Sequence, residues 1–168
     1  MSFAQSNSES EVLMTDALTI YTDGGCTDNP GPGGWAAIIG KKDSKGSENE
    51  PLEISGGDSD TTNNRMELTA VIRALELVMK RYGRELRIEI HTDSKYVQYG
   101  ITQWMPSWID KGWKTAAGKP VKNKDLWLQL RELNEKLTIS WLWVKGHSGN
   151  PMNERCNQLV TSQRELFA

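Results

Sequence analysis

The chain has 168 residues, 25% of them charged, and a formal net charge of -2. This length fits one domain that buries roughly 70% of its unfolded surface. The near-neutral charge excludes a cationic field over the whole molecule, so any attraction to nucleic acid must come from local clusters of Lys and Arg. Two cysteines, Cys26 and Cys156, are too few for a disulfide framework or a zinc site and indicate a reducing compartment. The sequence leaves open whether they form a single bridge.

The first 16 residues, MSFAQSNSESEVLMTD, lack the basic start and the apolar run of a signal peptide. They predict a disordered N-terminal tail over residues 1–16, followed by a single domain over 17–168. No later stretch approaches the roughly 18 apolar residues that span a bilayer. We therefore expect a cytoplasmic protein with no membrane partner.

The first half of the domain predicts strands and then a helix. Short β-compatible runs separated by Gly, Pro, Asn, Asp and Ser are typical of an antiparallel meander, and they cover residues 17–22, 34–39 and 51–55. A polar loop over 41–50 connects the last two runs. From Asn63 to Lys80 apolar residues recur at spacings of three and four, which predicts an amphipathic helix.

The second half alternates between helices and strands. Leu86, Ile88 and Ile90 alternate with charged residues and predict a strand. The remaining predicted elements are helices over 94–103 and 125–136, a strand over 138–144, a Gly-Asn-Pro turn, and a closing helix from Met152. Three strands followed by alternating helices and strands predict a mixed α/β sheet flanked by helices.

Three acidic residues stand in short polar signatures at the edges of these elements. Asp23 lies near the end of the first predicted strand, Glu67 near the start of the helix, and Asp93 just after the fourth strand. All three can converge at one sheet edge, where ligand sites of such sheets lie. Clustered carboxylates need cations, and hard oxygen ligands favour Mg²⁺ or Mn²⁺ over zinc. Taken one at a time, such acids are more often caps or turn residues.

Seven segments of the sequence together resemble a known protein family, a resemblance that the three acids alone would not establish. They are YTDGGCTDNPGPGGWA, TTNNRMEL, HTDSKYV, GITQW, GWKTAAGKPVKN, DLW and WVKGHSGNPMNERC, and they span about residues 17 to 165. In this order they resemble the bacterial type 1 ribonuclease H family. The resemblance implies a ribonuclease H-like fold, a five-stranded mixed sheet with three antiparallel and then two parallel strands. It also implies an endonuclease that cuts the RNA strand of RNA/DNA hybrids and leaves 5'-phosphate and 3'-hydroxyl ends.

The resemblance also implies roles for individual residues. Asp23, Glu67 and Asp93 become ligands of two Mg²⁺ ions, for which Mn²⁺ substitutes, and Asn157 takes the position of a fourth ligand. Two such ions activate the attacking water and stabilise the leaving 3'-oxygen. His147 lies on a mobile loop that assists proton or product movement, which suits an imidazole. The alternative for His147 is a loop histidine with no catalytic role.

Asn157 departs from the family pattern, which has Asp after NERC. An amide oxygen can coordinate a metal but brings no negative charge, so we expect weaker metal binding or slower turnover. Glu154, three residues earlier, can supply part of that charge, although a plain surface role is the simpler interpretation. The alternative function is a catalytically impaired protein that binds hybrids without cutting them.

Hybrid recognition requires reading both strands across the minor groove. By resemblance, polar side chains and backbone amides near the acids line that surface: Gly24, Cys26, Asn29, Asn63, Asn64 and Lys95, with Thr62 near a DNA phosphate. Thr62 or Asn63 can also cap the helix that carries Glu67.

A second recognition element is implied at about residues 104–124, which we call the basic protrusion. It interleaves Trp and Lys and would grip the DNA strand, with Trp104, Lys111, Trp113, Lys114, Lys122 and Asn123 as its contacts. Trp104, Trp108 and Trp113 are spaced by four and five residues, so we expect at least one to belong to the core. Asp110 stands where the family often has a base, which weakens the grip. The family also implies a monomer without an obligate protein partner.

Overall fold

The computed structural model describes residues 17–42, 50–144 and 149–168. The predicted tail over residues 1–16, most of the predicted loop over 41–50, and His147 lie outside the described residues.

A five-stranded mixed sheet forms the centre of the domain. Its strands are β1 (Ala17–Cys26), β2 (Gly31–Lys42), β3 (Leu52–Thr61), β4 (Arg87–Thr92) and β5 (Thr138–Trp143), in the order β3-β2-β1-β4-β5. β1 pairs antiparallel with β2, and β2 antiparallel with β3, whereas β4 lies parallel to both β1 and β5. The predicted sheet, three antiparallel strands followed by two parallel ones, is confirmed.

The helices also follow the predicted order. They are α1 (Asn63–Tyr82), α2 (Lys95–Tyr99), α3 (Met105–Asp110), α4 (Lys124–Lys136) and α5 (Pro151–Leu166), with a π-helical turn over Gly100–Trp104 between α2 and α3. The predicted single helix over 94–103 is therefore interrupted. The interruption begins at Gly100, whose missing side chain leaves space for the ring of Trp127. Among the described residues, no helix combines the length and apolarity that a membrane span requires.

The first three strands extend beyond the predicted runs. The added segments include DGGC in β1, GPG at the start of β2 and GGDSDT in β3, and they contain residues with poor β propensity. These segments are strands because they pair with neighbouring strands. Cys26 of β1 pairs with Gly33 of β2, and Gly33 also pairs with Asp58 of β3. Tertiary pairing thus overrides local propensity at the sheet edge that carries Asp23.

The main core lies between one face of the sheet and helices α1 and α4. Its fully buried side chains include Leu18, Ile20, Leu68, Leu75, Ile88, Ile90, Trp127 and Leu130. α5 packs against the opposite face of the sheet. Two neighbouring residues of β1 show this, since successive residues of a strand point to opposite faces. Gly24 of β1 faces α1, whereas Gly25 faces α5. The two helices hold the end of β1 between them.

Both cysteines are free thiols. Cys156 is buried under the sheet, where its Sγ donates to the carbonyl of Tyr21 at 3.3 Å. Burial, reinforced by the nearby charge of Asp23, raises the pKa of the Cys156 thiol to about 12. The open question of a bridge is therefore answered, and Cys156 acts as a small core residue.

We expect Gly100→Ala to lower the free energy of unfolding by about 1–3 kcal/mol, the usual cost of overpacking a well-filled core. The added Cβ would overlap the indole of Trp127, which is fully buried and has no room to move. Urea unfolding followed by tryptophan fluorescence measures the change. Gly40→Ala is the matched control, since a Cβ at Gly40 meets none of the described residues within 4 Å. Equal stability of the two variants would contradict the close packing of Gly100 against Trp127.

Candidate active site

The three predicted acids meet at one edge of the sheet. Asp23 lies within β1, Asp93 directly follows β4, and Glu67 lies in the first turns of α1. Because β1 and β4 are parallel neighbours, their carboxyl ends reach the same edge. One carboxylate oxygen from each acid lies within 4.8 Å of the other two. The predicted convergence is confirmed.

Close approach of α1 to β1 brings Glu67 to the two aspartates. A Cβ on Gly24 would overlap the carbonyl carbon of Met66 and lie 2.5 Å from the backbone nitrogen of Glu67, so only glycine fits there. The backbone N–H of Gly24 donates to the Glu67 carboxylate. The start of α1 is held by Thr62, whose hydroxyl accepts from the backbone N–H of Arg65 at 3.2 Å. The predicted capping role of Thr62 is confirmed.

The environment of Glu67 disfavours its charged form. Burial raises the pKa of the Glu67 carboxyl well above its ordinary value, and the charges of Asp23 and Asp93 raise it further. The Gly24 N–H opposes this effect, and Glu67 also shares a hydrogen bond with Asp23. The Oε2 atom of Glu67 is buried and has no hydrogen-bond partner among the described residues. A buried acceptor without a partner is costly unless a cation or a donor reaches it.

These features fit a hard divalent cation. The cluster offers only carboxylate oxygens, its members repel one another, and one buried oxygen lacks a partner within the described part of the chain. A cation that prefers oxygen ligands would bind the carboxylates, reduce their repulsion and give the buried oxygen a partner. Asp23, Glu67 and Asp93 therefore form a group that can hold a metal ion.

Asn157 extends this site from the other face of the sheet. An open cleft of about 200 Å³ lies beside the acids and is lined by Asp23, Gly24, Gly25, Asp93, Asn153, Glu154, Asn157, Val160 and Arg164. The helix that carries Asn157 is anchored at its start by Asn150, whose Oδ1 accepts from the backbone N–H groups of Met152 and Asn153 at 2.9 and 3.3 Å. Asn150 also donates to the hydroxyl of Tyr21 at 3.3 Å. Asn157 and Glu154 both reach the cleft.

Several residues predicted to face a hybrid lie together beside the acids. Asn29 accepts a hydrogen bond from the backbone N–H of Asn63 at 3.0 Å, which joins the β1–β2 turn to the start of α1. The thiol of Cys26 lies 3.2 Å from the carbonyl oxygens of both Gly31 and Thr61. Burial is the main cause that raises the pKa of this thiol, so it stays protonated. Asn64 and Lys95 are exposed to solvent.

The basic protrusion presents exposed cations above a packed aromatic base. Lys111, Lys114 and Lys122 are exposed, and so is Asp110. Trp113 is only 8% exposed and belongs to the core, whereas Trp104 is 37% exposed. The expectation that at least one of the three tryptophans packs inside is confirmed by Trp113. Its predicted contact with nucleic acid stays a prediction.

Asn123 ties the end of the basic protrusion to the helix that carries Glu67. It adopts a left-handed backbone conformation with φ of 59° before α4. Its Nδ2 donates to the hydroxyl of Tyr96 at 3.0 Å, and its Oδ1 accepts from Arg65 at 3.2 Å. Arg65 also donates to both carboxylate oxygens of Asp125, at 2.9 and 3.1 Å. The network links α1, α2 and α4.

Sequence reasoning missed two residues at this site, Arg65 and Arg164. Arg65 stands inside the TTNNRMEL segment, but its partner Asp125 lies 60 residues away in sequence. Arg164 follows Asn157 by seven residues, which is two helical turns and places both on one face of α5. This seven-residue spacing could have predicted, from the sequence, that Arg164 lies on the same face of the helix as Asn157.

Comparison with known proteins assigns the family. A family model for RNase H matches residues 15–165. The chain is 51% identical over 148 residues to the ribonuclease H of Thiobacillus denitrificans, covering 88% of this chain and 93% of that protein. It is also 51% identical over 147 residues to the ribonuclease HI of Caulobacter vibrioides, with 88% and 92% covered.

Solved structures agree with these sequence relatives. LC9-RNase H1, a type 1 RNase H with the type 2 active-site motif, superimposes with a TM-score of 0.79 at 28% identity over 92% of this chain and 74% of its own. LC11-RNase H1, solved in complex with an RNA/DNA hybrid, gives a TM-score of 0.62 at 25% identity over 89% and 97%. By its sequence, its sheet topology and the position of its acidic cluster, this chain belongs to the ribonuclease H family.

Proposed function

We propose that the protein hydrolyses the RNA strand of RNA/DNA hybrids by a two-metal-ion mechanism at Asp23, Glu67 and Asp93, leaving 5'-phosphate and 3'-hydroxyl ends. The observation that carries this proposal is the convergence of three carboxylate oxygens within 4.8 Å in a chain of the ribonuclease H family. Mg²⁺ is the proposed cofactor, with two ions per site during catalysis, and Mn²⁺ is the proposed substitute.

The bound ions would supply an activated water and stabilisation of the charge on the leaving oxygen. The protein contributes placement of the ligands. Asp23 and Asp93 extend from parallel strands, and the Gly24 N–H orients the carboxylate of Glu67 from the opposite side. The amide oxygen of Asn157 is the proposed fourth ligand. His147, which precedes α5 in the sequence, is proposed to move a proton or release product.

The substrate surface follows from the same edge of the sheet. Discrimination of RNA from DNA requires contacts with 2'-hydroxyls in a shallow minor groove. We assign this role to polar residues and backbone amides beside the acids, with Thr62 near a phosphate of the DNA strand: Gly24, Cys26, Asn29, Asn63, Asn64 and Lys95. Their support is that the hydrogen bonds of Asn29 and Cys26 hold the β1–β2 turn against the start of α1.

The basic protrusion is proposed to hold the DNA strand. Lys111, Lys114 and Lys122 would contact phosphates, with Trp104 against a sugar and Asn123 fixing the orientation of the segment. The relative LC11-RNase H1 has been solved with an RNA/DNA hybrid, which supports the same substrate class here. A single domain over 17–168, a monomeric state and a cytoplasmic location complete the proposal.

A second candidate function is a hybrid-binding protein that does not cut. It is favoured by one observation, the neutral Asn157 beside Asp23 and Asp93 in the cleft. With one negative charge fewer, the site attracts the second cation less strongly. Both candidates bind hybrids, and they differ only in cleavage.

The decisive experiment uses an end-labelled RNA/DNA hybrid beside duplex RNA and duplex DNA, each with Mg²⁺, Mn²⁺ or EDTA. Cleavage of the RNA strand of the hybrid alone, and its loss in EDTA, is the result we expect. Binding of the hybrid without cleavage in either metal would select the second candidate. Failure to bind the hybrid, or equal cleavage of all three duplexes, would refute both.

A further inference from the structure

Arg164 places a positive charge at the acidic cleft. Its side chain lines the cleft together with Asp23, Asp93 and Asn157. Three of the described lining residues carry carboxylates, Asp23, Asp93 and Glu154, and Arg164 is the sole cationic side chain among them. A polyanionic strand that enters this cleft is therefore repelled by three groups and attracted by one.

The backbone of Arg164 is held firmly against the sheet. A Cβ on Gly34 of β2 would lie 2.6 Å from the carbonyl oxygen of Val160 and 3.1 Å from the nitrogen of Arg164. Glycine at this position lets α5 approach β2 closely. The last turns of α5 therefore have a fixed distance from the end of β1, where Asp23 lies.

The guanidinium lies between Thr161 and the backbone of Gly25. Its Nη2 donates to the hydroxyl of Thr161 at 3.4 Å, and that hydroxyl donates to the carbonyl of Asn157 at 3.0 Å. Its Nη1 lies 3.8 Å from where a Cβ on Gly25 would stand, so the group lies over bare backbone two residues after Asp23. A side chain at Gly25 would narrow the space above this backbone.

We propose that Arg164 binds a backbone phosphate of the RNA strand next to the one that is cleaved, and so positions that strand over Asp23 and Asp93. This inference rests on the proposed function. The planar fork of a guanidinium matches the oxygens of a phosphate, and such charge-assisted bonds are stronger than neutral ones. Arg164 is thus a positioning residue that offsets the repulsion of the acids at one defined phosphate.

The test measures hybrid binding in EDTA by fluorescence anisotropy over a range of salt concentrations. Arg164→Gln is compared with Arg73→Gln, which removes the same charge from an arginine on the solvent face of α1 that pairs with Glu76 at 3.7 Å. We expect Arg164→Gln to weaken binding about tenfold near 0.1 M salt and to reduce the salt slope by about one. Arg73→Gln should change neither quantity appreciably. Circular dichroism and urea unfolding confirm that both variants fold.

A second series separates a direct phosphate contact from a general charge effect. Hybrids carry a neutral methylphosphonate at one linkage of the RNA strand at a time. The unmodified protein should lose affinity at a linkage next to the cleavage site, and Arg164→Gln should be insensitive at that linkage alone. Equal losses in both proteins at every linkage, or equal behaviour of the Arg164 and Arg73 variants, would overturn the inference while leaving the proposed function standing. Failure of the unmodified protein to bind any hybrid would refute both together.

Discussion

Asp23→Asn is expected to reduce cleavage of the hybrid's RNA strand by at least about 10³-fold without weakening hybrid binding in EDTA. The oxygens of Asp23, Glu67 and Asp93 lie within 4.8 Å of one another, so an amide at position 23 removes one of three charges that hold the cations. Single-turnover cleavage with Mg²⁺, measured beside anisotropy binding, checks both parts.

Asp23→Asn should also stabilise the metal-free protein by about 1 kcal/mol near pH 7.5, because it removes the charge repulsion between Asp23 and Glu67. Residues of a functional site often reduce stability in this way. Asp23 helps to raise the pKa of the buried Glu67 carboxyl. A carboxyl whose pKa is raised by folding favours the folded state fully below its unfolded pKa of about 4.3, and this contribution is lost as pH rises. The gain from Asp23→Asn should therefore shrink toward pH 4. Thermal unfolding in EDTA at several pH values measures it.

Two results would contradict the assignment of Asp23. Retention of full cleavage would show that Asp23 holds no cation. Loss of cleavage together with a loss of stability in EDTA would show that the substitution damages the fold and not the metal site. Glu85→Gln is the matched control, since Glu85 is an exposed carboxylate between α1 and β4.

Asn157→Asp is expected to raise the cleavage rate by one to three orders of magnitude at about 1 mM Mg²⁺, because it restores a charged ligand beside Asp23 and Asp93. The gain should be smaller at high Mg²⁺ if the amide mainly weakens binding of the second cation. Rate as a function of Mg²⁺ concentration separates weaker metal binding from slower chemistry.

The control for added charge is Ser162→Asp, an exposed position five residues further along the same helix. It changes the net charge equally but points away from the cleft. Similar rates for the unmodified protein and Asn157→Asp would show that position 157 does not contribute a metal ligand. Similar acceleration by Ser162→Asp would attribute the effect to net charge alone.

Much of this architecture can be read from local sequence. Apolar residues recur every three or four positions from Asn63 onward, and they alternate with charged residues over Leu86 to Ile90. Each pattern arises within a single element that buries one face. The acids were placed correctly for a related reason. Asp93 stands directly after an apolar strand, and Glu67 follows a Thr-Thr-Asn-Asn start signal, so each position depends on an element boundary.

Contacts between distant segments could not be read in the same way. The glycine-rich ends of β1 and β2 have little strand propensity, and they extend because each pairs with a neighbour. The π-helical turn begins at Gly100, whose backbone is packed against Trp127, a residue that comes 27 positions later. No local period signals such a change in helix geometry.

For this protein, the sequence alone identified the three acids that meet at the candidate site, because polar signatures at the ends of apolar elements are local features. Only the tertiary structure decided how those residues act on one another. The buried Oε2 of Glu67, the raised pKa of its carboxyl, and the presence of Arg164 beside Asp23 all arise where β1 is enclosed between α1 and α5. Burial, charge repulsion and close approach depend on distances between segments far apart in the chain, and these distances exist only after packing is complete.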